Sequence, residues 1–139
     1  MIYYTNSFGP DIAALKAAFK KCGEIIQECK HTEMALLVPQ KSNLDGIIRD
    51  LLGDDVTRIL HKSNMCDLDG LSLRLFTKRN MPNFFDGPIV AAYVADREIM
   101  DLIKLCPKSS IIYVPWTEGE LQAVKNSQQA KDLQIITEP

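Results

Sequence analysis

The sequence lacks the features that mark membrane, nucleic-acid-binding and secreted proteins. Its longest apolar stretches, such as Pro88 to Val94, are far shorter than the ~20 residues of a membrane-spanning helix. The 16 basic and 18 acidic residues leave a net charge of −2, so nothing electrostatic favours nucleic acid or an anionic membrane as a partner. The opening MIYYTNSFG has neither the basic segment nor the apolar core of a signal peptide.

Disulfide and metal-binding patterns are also absent. The four cysteines contain no CxxC pair, a usage typical of reduced thiols in a cytoplasmic protein. The two histidines, His31 and His61, have no partners at the spacing of metal ligands. The sequence therefore predicts a cytoplasmic protein with no metal and no cofactor.

The common catalytic and nucleotide-binding motifs are missing. No GxGxxG follows the first predicted strand, Lys41-Ser42 lacks the preceding glycines of a phosphate loop, and there is no GxSxG. A small enzyme would have to use isolated carboxylates, such as Asp96 or Glu118 near Trp116. These absences favour a non-enzymatic function, and no catalytic residue is predicted.

The clearest structural signal runs from Gly87 to Glu120 and predicts a strand, a helix, a strand and the start of another helix. Pro88 to Val94 is almost continuously apolar, as in a strand that is buried on both faces. Apolar residues then recur at helical spacing from Ile99 until Pro107 ends the helix, and Ser110 to Pro115 is a second apolar run. Two buried strands joined by a helix predict a right-handed βαβ crossover.

Helix-start chemistry accounts for the polar residues of this stretch. Asp96 is expected at a helix start, as a cap or in the first turn. Thr117 and Glu120 match a capping box, in which each side chain bonds to the other's backbone N–H. Trp116 and Leu121 have the spacing of a hydrophobic staple, which favours Trp116 as a core residue over a platform for a ligand.

The first part of the chain predicts a strand and a long helix. Met1 to Thr5 has strand composition, and a helix is expected to begin at Pro10 with Asp11 in its first turn. The apolar residues of this helix recur at intervals of three and four and place both Cys22 and Cys29 on the buried face. Both thiols are therefore interpreted as inert core groups.

The middle of the chain predicts a strand, a helix and a segment that fits either type. Glu33 to Val38 is the second strand, and a helix capped by Ser42 is expected to follow it. Residues 54–65 fit a short helix or a strand, and the short helix is preferred.

A hairpin is predicted around Asp69-Gly70, a dipeptide typical of tight turns. Leu71 to Thr77 alternates between apolar and polar residues, so it is expected near an edge of the sheet, and Cys66 to Leu68 could form the other arm. Near the end, Leu133 to Thr137 is expected either as a short strand or as a loose tail.

Strands that alternate with helices predict an α/β fold. We expect a three-layer α/β sandwich, in which a mostly parallel sheet of about five strands carries a β-hairpin at its edge. A chain of 139 residues is expected to form a single domain over residues 1–139.

Ligands of such sheets bind beyond the carboxyl ends of the strands, by analogy with other α/β proteins. Lys41, Arg79 and Arg97 are candidate anion binders at these ends, and Trp116 is a candidate stacking surface. The predicted ligand is therefore a nucleotide or a phosphorylated metabolite. The full set of candidate ligand-binding residues is Asn6, Ser7, Lys41, Ser42, Arg79, Asp96, Arg97, Trp116 and Thr117.

Phe84 and Phe85 lie in a long turn between two predicted strands. Adjacent phenylalanines in a turn either cover the sheet or form a contact for a partner. With no catalytic motif in the chain, protein association is the preferred function, as a homodimer or with another protein. Binding of a small anionic ligand is the alternative.

The segments GPIVAAYV, REIMDLIKL and IIYVPWTEGEL, preceded by LSLRLFTKRN, together resemble a pattern in small bacterial α/β proteins of uncharacterised function. Those proteins join a strand led by Gly-Pro to a helix and to a strand that ends in Val-Pro-Trp. The resemblance covers residues 71–121 and implies the same α/β arrangement. It implies no functional residues.

Overall fold

The computed structural model describes residues 1–127 and 133–136. Strands and helices alternate along these residues, with one 3₁₀ helix at Lys41–Asp45. The strands are β1 (Ile2–Thr5), β2 (Glu33–Val38), β3 (Met65–Leu68), β4 (Leu71–Thr77), β5 (Ile89–Ala92), β6 (Ile111–Val114) and β7 (Leu133–Ile136). The helices are α1 (Ile12–Cys29), α2 (Ile47–Leu52), α3 (Asp54–Ser63), α4 (Asp96–Leu105) and α5 (Glu118–Lys125).

The strands form one sheet in the order β3-β4-β2-β5-β6-β1-β7. Every neighbouring pair is parallel except β3 and β4, which are antiparallel. The α/β fold with a mostly parallel sheet is confirmed, but the expected strand number of about five is wrong, because residues 1–127 and 133–136 already form seven strands. The two additional strands, β3 and β7, lie at the two sides of the sheet. Both segments were expected only as alternatives, Cys66 to Leu68 as a possible hairpin arm and Leu133 to Thr137 as a strand or a tail. Thr137, the last residue of the predicted final strand, lies outside the described residues.

Two apolar clusters lie on opposite faces of the sheet. One cluster combines β-strand residues with Leu15, Cys22 and Ile48 of α1 and α2, together with Leu60 of α3. The other combines β-strand residues with side chains of α4 and α5 and with Phe85 from the loop before β5. The sheet is therefore covered by helices on both faces, which explains why β5 and β6 are buried throughout.

Alanines set the buried face of α1. Ala14, Ala17 and Ala18 are buried with Leu15, and the helix contacts β1, β2, β5, β6 and β7. Small residues allow a helix to lie close to a sheet that it crosses. The expectation that Cys29 is buried is wrong, because the predicted stripe followed the large apolar residues rather than the alanines, and Cys29 is exposed.

Two predicted helix starts are corrected by the structure. Asp11 is the N-cap of α1, where its Oδ1 accepts a hydrogen bond from the Ala14 N–H at 3.1 Å, so the helix begins later than Pro10. The helix expected from Ser42 begins as a 3₁₀ helix and continues after Gly46 as α2. The 3₁₀ helix is preceded by Gln40, whose N–H donates to Asn43 Oδ1 at 2.9 Å. Ser42 therefore caps no helix. The short helix preferred within residues 54–65 is confirmed as α3.

Candidate functional site

A cleft of about 410 Å³ opens at the carboxyl ends of β2 and β4. After β2 the chain continues into the α2–α3 layer, whereas after β4 it continues toward the opposite face, where Phe85 joins the α4–α5 cluster. Neighbouring parallel strands whose connections leave to opposite faces open a crevice between them, which is the usual ligand position in such sheets. The cleft is lined by Pro39, Gln40, Lys41, Thr77, Lys78 and Arg79.

Three cations and no carboxylate line this cleft. The Lys41 Nζ donates to the His61 carbonyl oxygen at 3.0 Å, which holds the ammonium group at the end of α3. The nearby carboxylate of Asp45 is bonded to His61 Nε2 at 2.8 Å. Lys78 and Arg79 are exposed, and neither forms an ion pair within the part of the chain that the structure describes. The cleft is therefore a local concentration of positive charge in a chain whose net charge is negative.

None of the candidate residues that follow β1, β5 and β6 lines this cleft. β5 separates β2 from β6, which places the end of β6 ~10 Å from the end of β2 at the normal strand spacing. Asn6 and Arg97 are exposed, whereas Ser7 is buried and shares a 2.9 Å hydrogen bond with the Thr5 hydroxyl. Of the nine candidates, the structure brings Lys41 and Arg79 together in the lining of the cleft, whereas Ser42 follows Lys41 in the 3₁₀ helix without lining it. The other six candidates form a second group, which lies outside the lining.

Trp116 belongs to this second group and is not the core residue that the staple spacing predicted. It is 47% exposed, and its ring packs edge-to-face on Tyr93 with the ring centroids 5.3 Å apart. Its carbonyl oxygen accepts a hydrogen bond from the Gly9 N–H at 2.9 Å, which ties the loop after β1 to the end of β6. Leu121 is fully buried in the α4–α5 cluster, and Trp116 is not among the residues of that cluster.

Helix-start chemistry explains part of this second group. The Thr117 Oγ1 accepts from the Glu120 N–H at 3.2 Å, which confirms the N-cap of α5. The reciprocal bond predicted for the capping box is wrong, because the Glu120 carboxylate accepts from the Thr117 hydroxyl at 2.9 Å instead. Asp96 is the first residue of α4, and Ala95 occupies the N-cap without a side-chain bond. Asp96 therefore starts the helix but does not cap it.

Carboxylates surround Tyr113 on this side of the sheet. Its hydroxyl is buried and donates to the Val94 carbonyl oxygen at 2.9 Å. Burial raises the pKa of Tyr113 above its ordinary range, and the carboxylates of Glu120, Asp96 and Glu98 raise it further. These carboxylates disfavour an anion near Tyr113, whereas the cleft is lined by cations.

Two residues of the edge were not identified as site residues from the sequence. Lys78 lines the cleft beside Arg79, and its position directly after a strand was the signal that could have placed it there. Tyr93 was predicted within a strand, but β5 ends at Ala92 and Tyr93 has a left-handed φ of 67°. Burial raises the pKa of the Tyr93 hydroxyl. Residue type alone does not indicate such a conformation for tyrosine.

The two phenylalanines of the partner prediction have different environments. Phe85 is buried in the α4–α5 cluster, and its ring packs edge-to-face on Phe76 with the ring centroids 6.0 Å apart. Phe84 is 85% exposed and has a left-handed φ of 56°. Phe85 is therefore a core residue, and only Phe84 is available to a partner.

Within residues 1–127 and 133–136, no three His, Cys, Asp or Glu side chains are arranged to hold a metal ion. Over the same residues, no helix combines the length and the apolar content needed to cross a membrane. Comparison of the sequence with protein-family models gives no match, and comparison with curated proteins gives none either.

Proposed function

We propose that the chain binds a small phosphorylated metabolite in the cleft between the ends of β2 and β4. The observation that carries this proposal is the convergence of Lys41, Lys78 and Arg79 on a cleft with no carboxylate in its lining. An arginine fork can bind two oxygens of one phosphate, and two lysines can supply further charge-assisted hydrogen bonds. The cleft volume of about 410 Å³ falls in the usual range of ~300–1,000 Å³ for small-molecule sites.

The shape of the lining favours a phosphorylated metabolite over a nucleotide. No aromatic side chain lines the cleft, so a nucleobase would have no surface on which to stack. Trp116, the candidate stacking residue, lies at the end of β6 beyond β5. The acidic surroundings of Tyr113 would also repel a second phosphate group on that side.

A ligand screen with matched variants tests this function. Thermal unfolding is followed with sugar phosphates, nucleotides and inorganic phosphate, and the best compound is then titrated by calorimetry. A ligand at about 100 times its dissociation constant should add ~2.7 kcal/mol to the free energy of unfolding. The double variant Lys78→Ser/Arg79→Ser should lose this gain, and its own unfolding should change by less than ~0.5 kcal/mol because both side chains are exposed.

The control is Lys16→Ser/Lys104→Ser, which removes the same net charge from exposed positions on α1 and α4. This control should bind the ligand as the original chain does, with a similar dependence on salt. Equal loss of binding in both double variants would show non-specific attraction and contradict a site in the cleft. If none of the tested anions stabilises the protein at millimolar concentration, the proposed site in the cleft is also contradicted.

We propose association through Phe84 as a second function. A phenylalanine that is 85% exposed in a left-handed conformation is unfavourable for an isolated chain on both counts. Phe84→Asn removes the ring, and asparagine tolerates this conformation, so the variant tests association without damaging the fold. Light scattering after size-exclusion chromatography should show a larger particle for the original chain than for the variant. A chain that remains monomeric at every concentration would contradict this second function.

A further inference from the structure

Phe84 is held outward by a loop that is fixed on both sides. Its N–H donates to the Leu105 carbonyl oxygen at 3.1 Å, at the end of α4. The Cys106 thiol donates to the Pro82 carbonyl oxygen at 3.4 Å, and the Ser109 hydroxyl donates to the carbonyl oxygen of Phe85. Because these bonds tie the backbone before and after Phe84 to one helix end, its ring is presented in a defined position rather than on a loose loop.

The conformation of Phe84 has an energetic cost. A left-handed backbone costs roughly 1–2 kcal/mol for a residue other than glycine, and asparagine or glycine would avoid most of it. Strain of this kind persists mainly where function needs it. The exposed ring adds a second cost, since it leaves apolar surface in water.

A pocket of about 140 Å³ adjoins the loop that carries this ring, because Cys106 and Ser109 of its lining bond to the backbone of Pro82 and Phe85. Its walls are Met1, Ile2, Ile103, Cys106, Pro107, Ser109 and Ile111. For comparison, a cavity of ~150 Å³ lined by apolar side chains admits a benzene molecule. The pocket therefore has about the volume of a phenyl ring and apolar residues among its walls, although more than half of its exposed surface is polar. Phe84 of the same chain is turned away into solvent.

We propose that Phe84 enters this pocket on a second copy of the chain. The proposal rests on the association proposed above and specifies its partner and its contact. A ring and a pocket on one patch of surface are the two halves of a two-fold symmetric contact, in which each copy gives its ring and receives the other's. The same two contacts then close the dimer and leave no free ring or pocket for further growth.

The charges around the patch also complement each other. Asp86 follows the ring in the chain, Lys108 follows the Pro107 wall of the pocket, and both are exposed. Neither forms an ion pair within the described part of the chain. When Phe84 of one copy approaches the pocket of the other, Asp86 of the first approaches Lys108 of the second. This arrangement favours a second copy over an unrelated apolar partner.

The size of the patch predicts a weak dimer. Two phenylalanines bury on the order of 300–500 Å² in total. Small specific interfaces bury up to ~1,200 Å², and their complexes are transient. Dimerisation is therefore expected to depend on concentration between ~10 µM and ~1 mM, which sedimentation velocity and light scattering both cover.

Two single variants and their mixture test the contact. Phe84→Asn removes the ring, and Ile103→Lys places a charge in the half-buried wall of the pocket. Each variant alone should dimerise at least ~30-fold more weakly, the loss expected for a central anchor residue. A mixture of the two should regain part of the association, because the ring of the Ile103→Lys chain fits the intact pocket of the Phe84→Asn chain.

Two further variants keep the test independent of folding defects. Phe8→Ser removes a partly exposed phenylalanine near the other edge of the sheet and should leave dimerisation unchanged. The exchange Asp86→Lys/Lys108→Glu should restore the association that each single charge change weakens. This exchange involves only exposed positions, so it remains decisive if Ile103→Lys does not fold.

The outcomes separate the contact from association as such. Original chains that stay monomeric at ~1 mM, or dimers that Phe84→Asn leaves intact, overturn both the association and this contact. Dimers that need Phe84 but are unaffected by Ile103→Lys, with no gain in the mixture or in the charge exchange, overturn the pocket alone. Loss in both single variants with recovery in the mixture supports the proposed contact.

Discussion

The two ends of the strands differ in how their exposed residues are supported. The amino edge is the side of the sheet where the parallel strands begin, and the carboxyl edge is the side where they end. At the amino edge, Gly87 and Ser109 make close contacts with backbone atoms of β2 and of the loop before β5. At the carboxyl edge, Lys78 and Arg79 extend from the end of β4 into solvent. The amino edge is therefore built by backbone fit, whereas the cleft at the carboxyl edge is built by solvated side chains.

The structure at each end of the strands suits the function proposed there. A rigid backbone suits a protein contact, because an ordered ring loses little conformational entropy when it is buried. Solvated lysine and arginine suit the capture of a small anion, because their charges remain unneutralised until the ligand arrives. Since the two proposed sites lie at opposite edges, ligand binding and dimerisation are expected to proceed independently.

The largest effect is expected from Gly87→Ala at the amino edge. An added Cβ would collide with the carbonyl oxygen of Glu33 and would lie 3.1 Å from the ring of Phe85. The oxygen belongs to the backbone of β2 and cannot move aside as a flexible side chain would. We expect the free energy of unfolding to fall by ~3 kcal/mol or more, as measured by urea denaturation.

Gly119→Ala is the matched control, because an added Cβ there meets no atom within 4 Å. Its free energy of unfolding should not fall, since alanine is the better helix former. Similar losses in the two variants would show that the amino edge tolerates crowding and would contradict its description as a backbone fit.

A further prediction concerns the interior of the protein, where a buried thiol should make the free energy of unfolding depend on pH. Cys22 of α1 is fully buried, and burial raises the pKa of its thiol from 9.0 to about 12. Because the folded state holds this proton more tightly than the unfolded state, its stabilising contribution is complete below pH 9 and is lost as the pH rises toward 12. The expected fall in the free energy of unfolding is on the order of 1 kcal/mol per pH unit.

Comparison of slopes identifies the group responsible. Urea denaturation between pH 8 and pH 11 should show a shallower decline for Cys22→Ala than for the original chain. Cys29→Ala should leave the decline unchanged, because Cys29 is exposed. An identical slope in all three proteins would assign the alkaline loss to other groups, such as the buried tyrosines.

The smallest effect is expected from Phe84→Asn on the monomer. Asparagine tolerates the left-handed conformation, so the variant should gain ~1 kcal/mol in the free energy of unfolding at dilute concentration. Phe8→Ser provides the comparison, since the φ of Phe8 is not positive and no strain is relieved there. A loss of stability in Phe84→Asn would mean that the ring supports the fold of its own chain.

Much of the fold was predictable because its signals are local. The apolar runs around Val90 and Ile112 and the Asp69-Gly70 turn depend on neighbouring residues, and each produced the expected element. The exposure of Cys29 was predicted incorrectly, because it depends on where the helix lies on the sheet. The start of α1 was misplaced for a local reason, since Asp11 is the N-cap and not a residue of the first turn. The prediction that Trp116 is a core residue was also wrong. Its spacing from Leu121 does not show that the Trp116 ring packs on Tyr93 instead.

The candidate site was only partly predictable. The sequence placed Lys41 and Arg79 after strands, which is a local property. It did not show that Arg97 and Trp116 lie outside the lining of the cleft, because strand order depends on pairings between distant segments. Lys78 shares the local property of following a strand, but this property alone does not show whether a lysine lies in a cleft or in open solvent.

By itself, the sequence determined the alternation of strands and helices, because hydrophobic periodicity and turn chemistry act within a few residues. Only the tertiary structure decided that β2 lies beside β4, which brings Lys41 to Lys78 and Arg79 in one cleft. It also decided which of two adjacent phenylalanines enters the core, because that depends on how the loop bonds to the end of α4. Both proposed sites depend on such long-range contacts, which no short stretch of sequence encodes.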